Sequence, residues 1–230
     1  MKNTTHDTIK CKYIYDKFID IPQTIANSMG SFTGQINNGT TSTRETSKIM
    51  QILELTKEID NPVFFDIGAN YGGYSYITMF NENLKVEAFE PNPIVSEVFK
   101  HIVEKNSIPN ININSFGLSD TDRKCALHWG PRNIGAATIK VNKDGDCVFK
   151  TLDSLNVQKM DFVKIDVEGH ELEVLEGARE AIKRCKPIFL QIEINSGDRA
   201  KKLDMIKEDY LDNNYYTYRM GVDYLFFRKS

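Results

Sequence analysis

Apolar residues in this chain gather in short runs, punctuated by Gly, Pro, Asn and Asp, with stretches of helical periodicity between them. The runs at 63–67, 85–90, 111–116, 160–166 and 187–194 are rich in Val, Ile and Phe, and read as buried strands. Between the second and third runs, Ile94, Val95, Val98, Phe99 and Ile102 recur at helical spacing, which predicts a helix over 93–105. Further helices are expected over about 72–80, 169–184 and 198–211. Upstream, Ser42-Thr43-Arg44-Glu45 has the form of a capping box, and Ile49, Ile52, Leu53 and Thr56 follow it. That predicts a helix over roughly 44–59, stopped by Asn61-Pro62.

Strands alternating with helices predict an α/β, doubly wound sheet. Two stretches break the alternation. In 120–150, Cys125 to Trp129 and Ala137 to Ile139 read as short strands around Gly130-Pro131, an antiparallel insertion. At the C-terminal end, 215–219 and 223–228 flank Met220-Gly221 and read as a hairpin. Residues 1–40 say least: Tyr13 to Ile21 mixes apolar and charged positions, and 33–43 reads as loop. The expected organisation is a helical and loop extension over 1–60 and a main domain over 61–230.

Composition narrows the partners. The 230 residues carry a net charge of −3 and no basic stripe, so nucleic acid is not an expected partner. No run approaches the ~18 apolar residues of a membrane helix, and Met1 to Lys10 lacks an apolar signal core. Cys11, Cys125, Cys147 and Cys185 are dispersed without a CxxC pair, which points away from zinc and disulfide frameworks and toward a reducing, cytoplasmic setting.

The first candidate chemistry lies where the 63–67 strand meets Asp66-Ile67-Gly68-Ala69-Asn70-Tyr71-Gly72-Gly73. A strand feeding a glycine-rich turn is how α/β proteins bring backbone close to a nucleotide-like ligand. Asn70 replaces the middle glycine of a dinucleotide fingerprint, and the acid at 66 would repel a phosphate while attracting an ammonium group. A ligand with an amino-acid moiety and a ribose fits better, and S-adenosylmethionine is such a ligand. Glu90 ends the second strand about 20 residues beyond Gly68, where a carboxylate can accept both ribose hydroxyls; alone, it would read as a solvated strand end.

The second constellation is Lys164-Ile165-Asp166-Val167-Glu168-Gly169-His170-Glu171. Lys164 and Asp166 share one face of a central strand. A lysine there either pairs with an acid and pins two strands, or serves the site as substrate anchor or base. Asp166 lies at the strand's carboxyl end, beside the crevice where such folds bind ligands, or else caps the next helix. Glu168 and Glu171 suit a helix start. His170 is either a capping group or a general base. Glu193, ending the 187–194 strand, adds a third carboxylate. Asp166, Glu193 and Asn195 are metal-ligand types, but no loop pattern supports a metal site and none is expected.

These segments resemble one family. Phe65-Asp66-Ile67-Gly68-Ala69-Asn70, Phe89-Glu90-Pro91, Gly117-Leu118-Ser119-Asp120, Thr151-Leu152-Asp153, the Lys164 to Glu171 run and Val174-Leu175-Glu176-Gly177-Ala178 are similar, in order, to motifs of the FkbM family of S-adenosylmethionine-dependent methyltransferases. The resemblance spans about 62–195, and the Lys164 to Glu171 run is its most specific part. It implies a class I methyltransferase (Rossmann-like) fold with a seven-stranded, mostly parallel sheet, matching the C-terminal hairpin. It implies cofactor contacts from Asp66, Gly68, Ala69, Asn70, Gly72, Gly73, Glu90, Pro91, Ser119 and Asp166. Asn133-Ile134-Gly135-Ala136-Ala137 resembles a family segment lining the active site, which makes Asn133 and Gly135, with Glu168 and Glu193, candidate acceptor-binding residues. Asp166, with His170 or Lys164, would orient or deprotonate a hydroxyl on a sugar or other small-molecule acceptor. An NAD-linked oxidoreductase and a non-catalytic binding module are the alternatives.

Overall fold

The computed structural model describes residues 8–14, 17–22, 43–130, 133–140, 145–194 and 197–229. Its centre is a seven-stranded sheet built from β3 (Val63–Ile67), β4 (Lys85–Phe89), β5 (Ile111–Asn114), β10 (Phe162–Ile165), β11 (Phe189–Glu193), β12 (Tyr215–Met220) and β13 (Asp223–Arg228). The spatial order is β12-β13-β11-β10-β3-β4-β5, and β13 alone runs against its neighbours. This is the sheet that the sequence motifs implied.

Alternate residues of the central strands feed two apolar layers. Phe64, Phe162 and Phe189 face one layer with Ile52 of α1 (Thr43–Thr56) and Phe99 and Ile102 of α2 (Pro93–Lys105). Phe65, Val163, Ile165, Leu190 and Ile192 face the other, with Val174 and Leu175 of α3 (Glu171–Glu176) and Ile182 of α4 (Arg179–Cys185). Each fully buried side chain of this size contributes about 1.5–3 kcal/mol. Asn92 fixes the start of α2, where its Oδ1 accepts from the Ile94 amide at 3.1 Å, with Pro93 as the first helical residue.

The segment before the main sheet is strand as well as helix and loop. β1 (Thr8–Lys12) and β2 (Phe18–Pro22) form an antiparallel hairpin. Tyr13, Ile14, Ile19 and Ile21 are buried in the first layer, and Asn106 at the end of α2 exchanges two hydrogen bonds with the Asp20 backbone. The short, charge-interrupted runs at 8–12 and 18–22 hid this hairpin from periodicity.

Three predicted helices differ. Residues 72–80 form tight turns and then a 3₁₀ segment, Ser75–Phe80. Gly72 takes φ +85, outside the α region, and a Cβ there would lie 2.1 Å from the Phe99 ring. The 169–184 helix is broken into α3 and α4 at Gly177, whose Cβ would fall 1.9 Å from the Ser119 carbonyl oxygen. The 198–211 helix is α5 (Arg199–Met205), which continues as a π turn, Ile206–Tyr210.

The insertion is antiparallel as expected, with one parallel pair added. β6 (Gly117–Leu118), β7 (Arg123–Gly130), β8 (Asn133–Lys140) and β9 (Cys147–Lys150) form a second sheet ordered β6-β9-β7-β8. β6 joins it to the carboxyl end of the main sheet's β4–β5 side through Pro91, since a Cβ at Gly117 would meet the Pro91 ring at 3.0 Å.

Candidate active site

The two sequence constellations meet backbone to backbone. Gly68 takes φ +76, and a Cβ there would sit 2.0 Å from the Asp166 carbonyl oxygen. Only glycine lets the end of β3 approach the end of β10 this closely. The Gly68 and Ala69 amides both donate to the Phe89 carbonyl at 3.0 Å, so the loop is also sewn to β4. Asn70 adopts φ +52, a left-handed conformation that Asn tolerates better than most residues.

Glu90 closes this loop. It is 8 % exposed, and its two oxygens accept from the Asn70 amide at 2.9 Å and the Asn92 amide at 2.8 Å. Burial pushes its carboxyl up to about 7; those two hydrogen bonds and Lys164 restrain the rise. A buried carboxyl poised near neutrality at the carboxyl end of a strand is a functional-site signature.

Strand alternation and register put the polar residues of the other strands in two rows on one face. The lower row is Asp66, Lys164 and Gln191, which are register partners across β3, β10 and β11. The upper row is Asp166, Glu193 and Asp223, the last two being register partners across β11 and β13.

In the lower row, Lys164 is 4 % exposed and stands 3.5 Å from Asp66 and 3.5 Å from Asp166, while donating to the Gly68 carbonyl at 3.0 Å. The strand-pinning pair is present, and the same ammonium also reaches Asp166 at the crevice. Asp66 is 0 % exposed, and its Oδ2 accepts from Ser75 Oγ at 2.7 Å. Lys164 stands against the other oxygen of this carboxylate inside the fold.

In the upper row, Asp166 is half-exposed at the crevice. Glu193 hydrogen-bonds to it. Burial first, and then the neighbouring Asp166 and Glu168, push the Glu193 carboxyl up to about 8. Glu168 is exposed beside them in a left-handed conformation, φ +54, with its carboxyl raised by desolvation and by Asp166. Non-glycine residues held this way cluster at functional sites.

His170 stands apart from Asp166. Its Nε2 lies 2.9 Å from Ser119 Oγ, its Nδ1 lies 3.5 Å from Glu173, and its ring edge meets Phe149. Burial lowers its pKa below the ordinary imidazole value. Ser119 is fully buried and also bonds Asp120 and Arg123. The Ser119–His170 hydrogen bond knits the end of β6 to the start of α3. Glu171, buried, accepts from the Gly169 amide at 2.8 Å and closes the turn ahead of α3.

Ala69 is buried under the loop, Gly73 is half-buried, and half-buried Pro91 packs against Gly117. Asn133 and Gly135 lie on β8, the edge strand of the second sheet. The Asn133 side chain and Asn195 fall outside the described residues. Among those described, no cluster of His, Cys, Asp and Glu is arranged to hold a metal.

Sequence reasoning missed Lys48, Tyr74, Gln191 and Asp223, four buried polar side chains bonded to one another beneath the crevice. Signals existed. Gln191 interrupts the apolar run Phe189-Leu190-Gln191-Ile192, and Lys48 shares a helical face with Ile52.

The methyltransferase FkbM domain matches residues 66–220, from the acid of the glycine loop to the end of β12. The chain belongs to the FkbM methyltransferase family. The hexuronic acid methyltransferase AglP of Haloferax volcanii is 35 % identical over 162 residues, covering 66 % of this chain and 63 % of AglP. Methyltransferase sdnD of Sordaria araneosa is 26 % identical over 159 residues, covering 52 % of this chain and 61 % of that protein. The matches thus span about 60 % of the length of these curated relatives. Among solved structures, an FkbM methyltransferase from Methylobacillus flagellatus superposes with a TM-score of 0.53 at 19 % identity, covering 74 % of this chain and 44 % of that one. An rRNA methylase from Streptococcus thermophilus superposes with a TM-score of 0.52 at 12 % identity, covering 83 % and 99 %. These superpositions show that FkbM members and this chain share the class I methyltransferase fold. No helix among the described residues is long and apolar enough to cross a membrane.

Proposed function

We propose that this protein is an S-adenosylmethionine-dependent methyltransferase that methylates an oxygen of a sugar or another small-molecule acceptor. The observation that carries this reading is the pairing of Glu90, a buried carboxyl at about 7 under the glycine loop, with the Asp166–Glu193 pair at the ends of β10 and β11. The crevice residues fit the cofactor: carboxylates suit a ribose and a cationic sulfur, and repel phosphate. The NAD-linked alternative loses support, because Ser75–Phe80 is a 3₁₀ segment rather than the α-helix N-terminus that holds a pyrophosphate.

When bound, the cofactor supplies a methyl group on a positively charged sulfur to an attacking oxygen. Glu90 would hold the ribose hydroxyls, and the backbone of Gly68 to Gly73 would cradle the amino-acid end, with Asp66 ordering that loop from beneath. Asp166 would orient the acceptor hydroxyl and take its proton as the oxygen–carbon bond forms. Glu193, holding its own proton, hydrogen-bonds to Asp166 and fixes its direction. Much of the acceleration would come from alignment, a contribution of up to about 7–11 kcal/mol in well-oriented systems.

The named activity of AglP, at 35 % identity, supports a sugar acceptor. The test is transfer of labelled methyl from S-adenosylmethionine to a panel of neutral hexoses, amino sugars and hexuronic acids. Base-stable label on a hydroxyl oxygen, or base-labile label on a hexuronate carboxyl, supports oxygen methylation and tells the two apart. Label found only on nitrogen contradicts it.

A further inference from the structure

Four buried polar side chains run from α1 to the glycine loop. Lys48 Nζ donates to Asp223 Oδ2 at 2.8 Å. Asp223 Oδ1 accepts from Gln191 Nε2 at 3.0 Å, and the same amide nitrogen donates to the Tyr74 hydroxyl at 3.1 Å. The Tyr74 ring in turn lies 5.2 Å below the Lys164 ammonium.

An apolar row of similar volume is often as stable as a buried lysine–aspartate pair, and in some folds such pairs serve to fix a geometry. Here the geometry is determined. An amide NH₂ has two protons, and the two acceptors, Asp223 and Tyr74, use both. The Asp223 charge orients the Gln191 amide, Lys48 compensates that charge, and Gln191 sets the Tyr74 hydroxyl. Tyr74 follows Gly72-Gly73 directly, and Gly73 is held from the same N-terminal side, since its carbonyl accepts from Tyr13 OH at 2.6 Å. Tyr13 and Lys48 both precede residues 66–220, the stretch that the family domain matches.

We propose that Lys48 is a positioning residue of the transfer site: acting through Asp223 and Gln191, it fixes Tyr74 and so the glycine loop that holds the methyl donor. The proposal rests on the S-adenosylmethionine reading above. It makes the segment before the family domain part of the donor site.

The test is calorimetric binding of S-adenosylhomocysteine to wild type, Lys48→Met, Lys48→Arg, Tyr74→Phe and the Lys48→Met/Tyr74→Phe double variant, each held well below its unfolding midpoint. Lys48→Met should weaken binding about tenfold, Lys48→Arg should restore it to within about threefold, and the double variant should be no weaker than the weaker single variant, since members of one network are not additive. Should Lys48→Met fail to fold, Lys48→Gln alone and with Tyr74→Phe gives the same coupling measurement. Additive losses, or wild-type affinity in Lys48→Met, overturn the proposal while the cofactor reading stands. A wild type that binds no S-adenosylhomocysteine overturns both.

Discussion

Lys164 and Asp66 are register partners on adjacent central strands, and their charged ends stand 3.5 Å apart inside the fold. The pair joins the two motifs of the candidate site into one unit: Asp66 opens the glycine loop and Lys164 opens the Asp166 run. Lys164→Met would leave Asp66 buried without its cation. The expected loss is about 3–5 kcal/mol in urea unfolding, with a smaller loss for the Lys164→Met/Asp66→Asn double variant.

If Glu90 holds the cofactor ribose as proposed, ligand binding is expected to depend on pH. A carboxyl raised to about 7 is protonated below that value, and its protonated form is a poorer acceptor for two ribose hydroxyls. Cofactor affinity is therefore expected to rise from pH 6 to pH 8 and then level off, and Glu90→Gln should weaken binding and flatten the profile in calorimetry. The sign for stability is opposite. Because the folded carboxyl is raised, its contribution is fully present below the ordinary carboxylate range and is lost as pH rises through about 7.

Glu193 is expected to set an alkaline limit on turnover. As pH rises through about 8, it loses its proton and leaves two charged carboxylates side by side with Asp166. The kcat/KM profile of the wild type should fall there. Glu193→Gln keeps a hydrogen-bond donor toward Asp166 at every pH, so near-normal turnover at pH 7 without the alkaline fall is the expected result.

Asp166 and His170 are expected to separate cleanly. Asp166→Asn should lower kcat about 100-fold or more, as loss of a proton acceptor does, while cofactor affinity stays within a few-fold of wild type. His170→Gln can keep a polar contact with Ser119, and should retain turnover within a few-fold while lowering the thermal midpoint. Single-turnover rates and melting curves on the same preparations check both.

Much of this was legible in the residues. The strand runs were apolar enough to read directly, and the reversed terminal strand followed from two runs around Met220-Gly221. Glu90 and Asp166 stood out because strand-end acids in such folds face the crevice. What stayed hidden depended on contacts between distant segments. Gly177 is held against the Ser119 backbone, and the cation that pairs with buried Asp66 is Lys164, 98 positions further on. His170 drew a catalytic reading because an imidazole titrates near neutrality; only the position of Ser119 shows that its Nε2 is bonded beside β6. Lys48 and Asp223 are neighbours only once β13 has folded back beside β11.

The most direct measurement is a calorimetric titration of the wild-type chain with S-adenosylmethionine, S-adenosylhomocysteine and NAD under one set of conditions at pH 8. One-to-one binding of both sulfur compounds, with no heat from NAD, is the expected result. Binding of NAD, or silence toward all three, would contradict a methyl-donor site built on Glu90 and the Asp66–Gly73 loop.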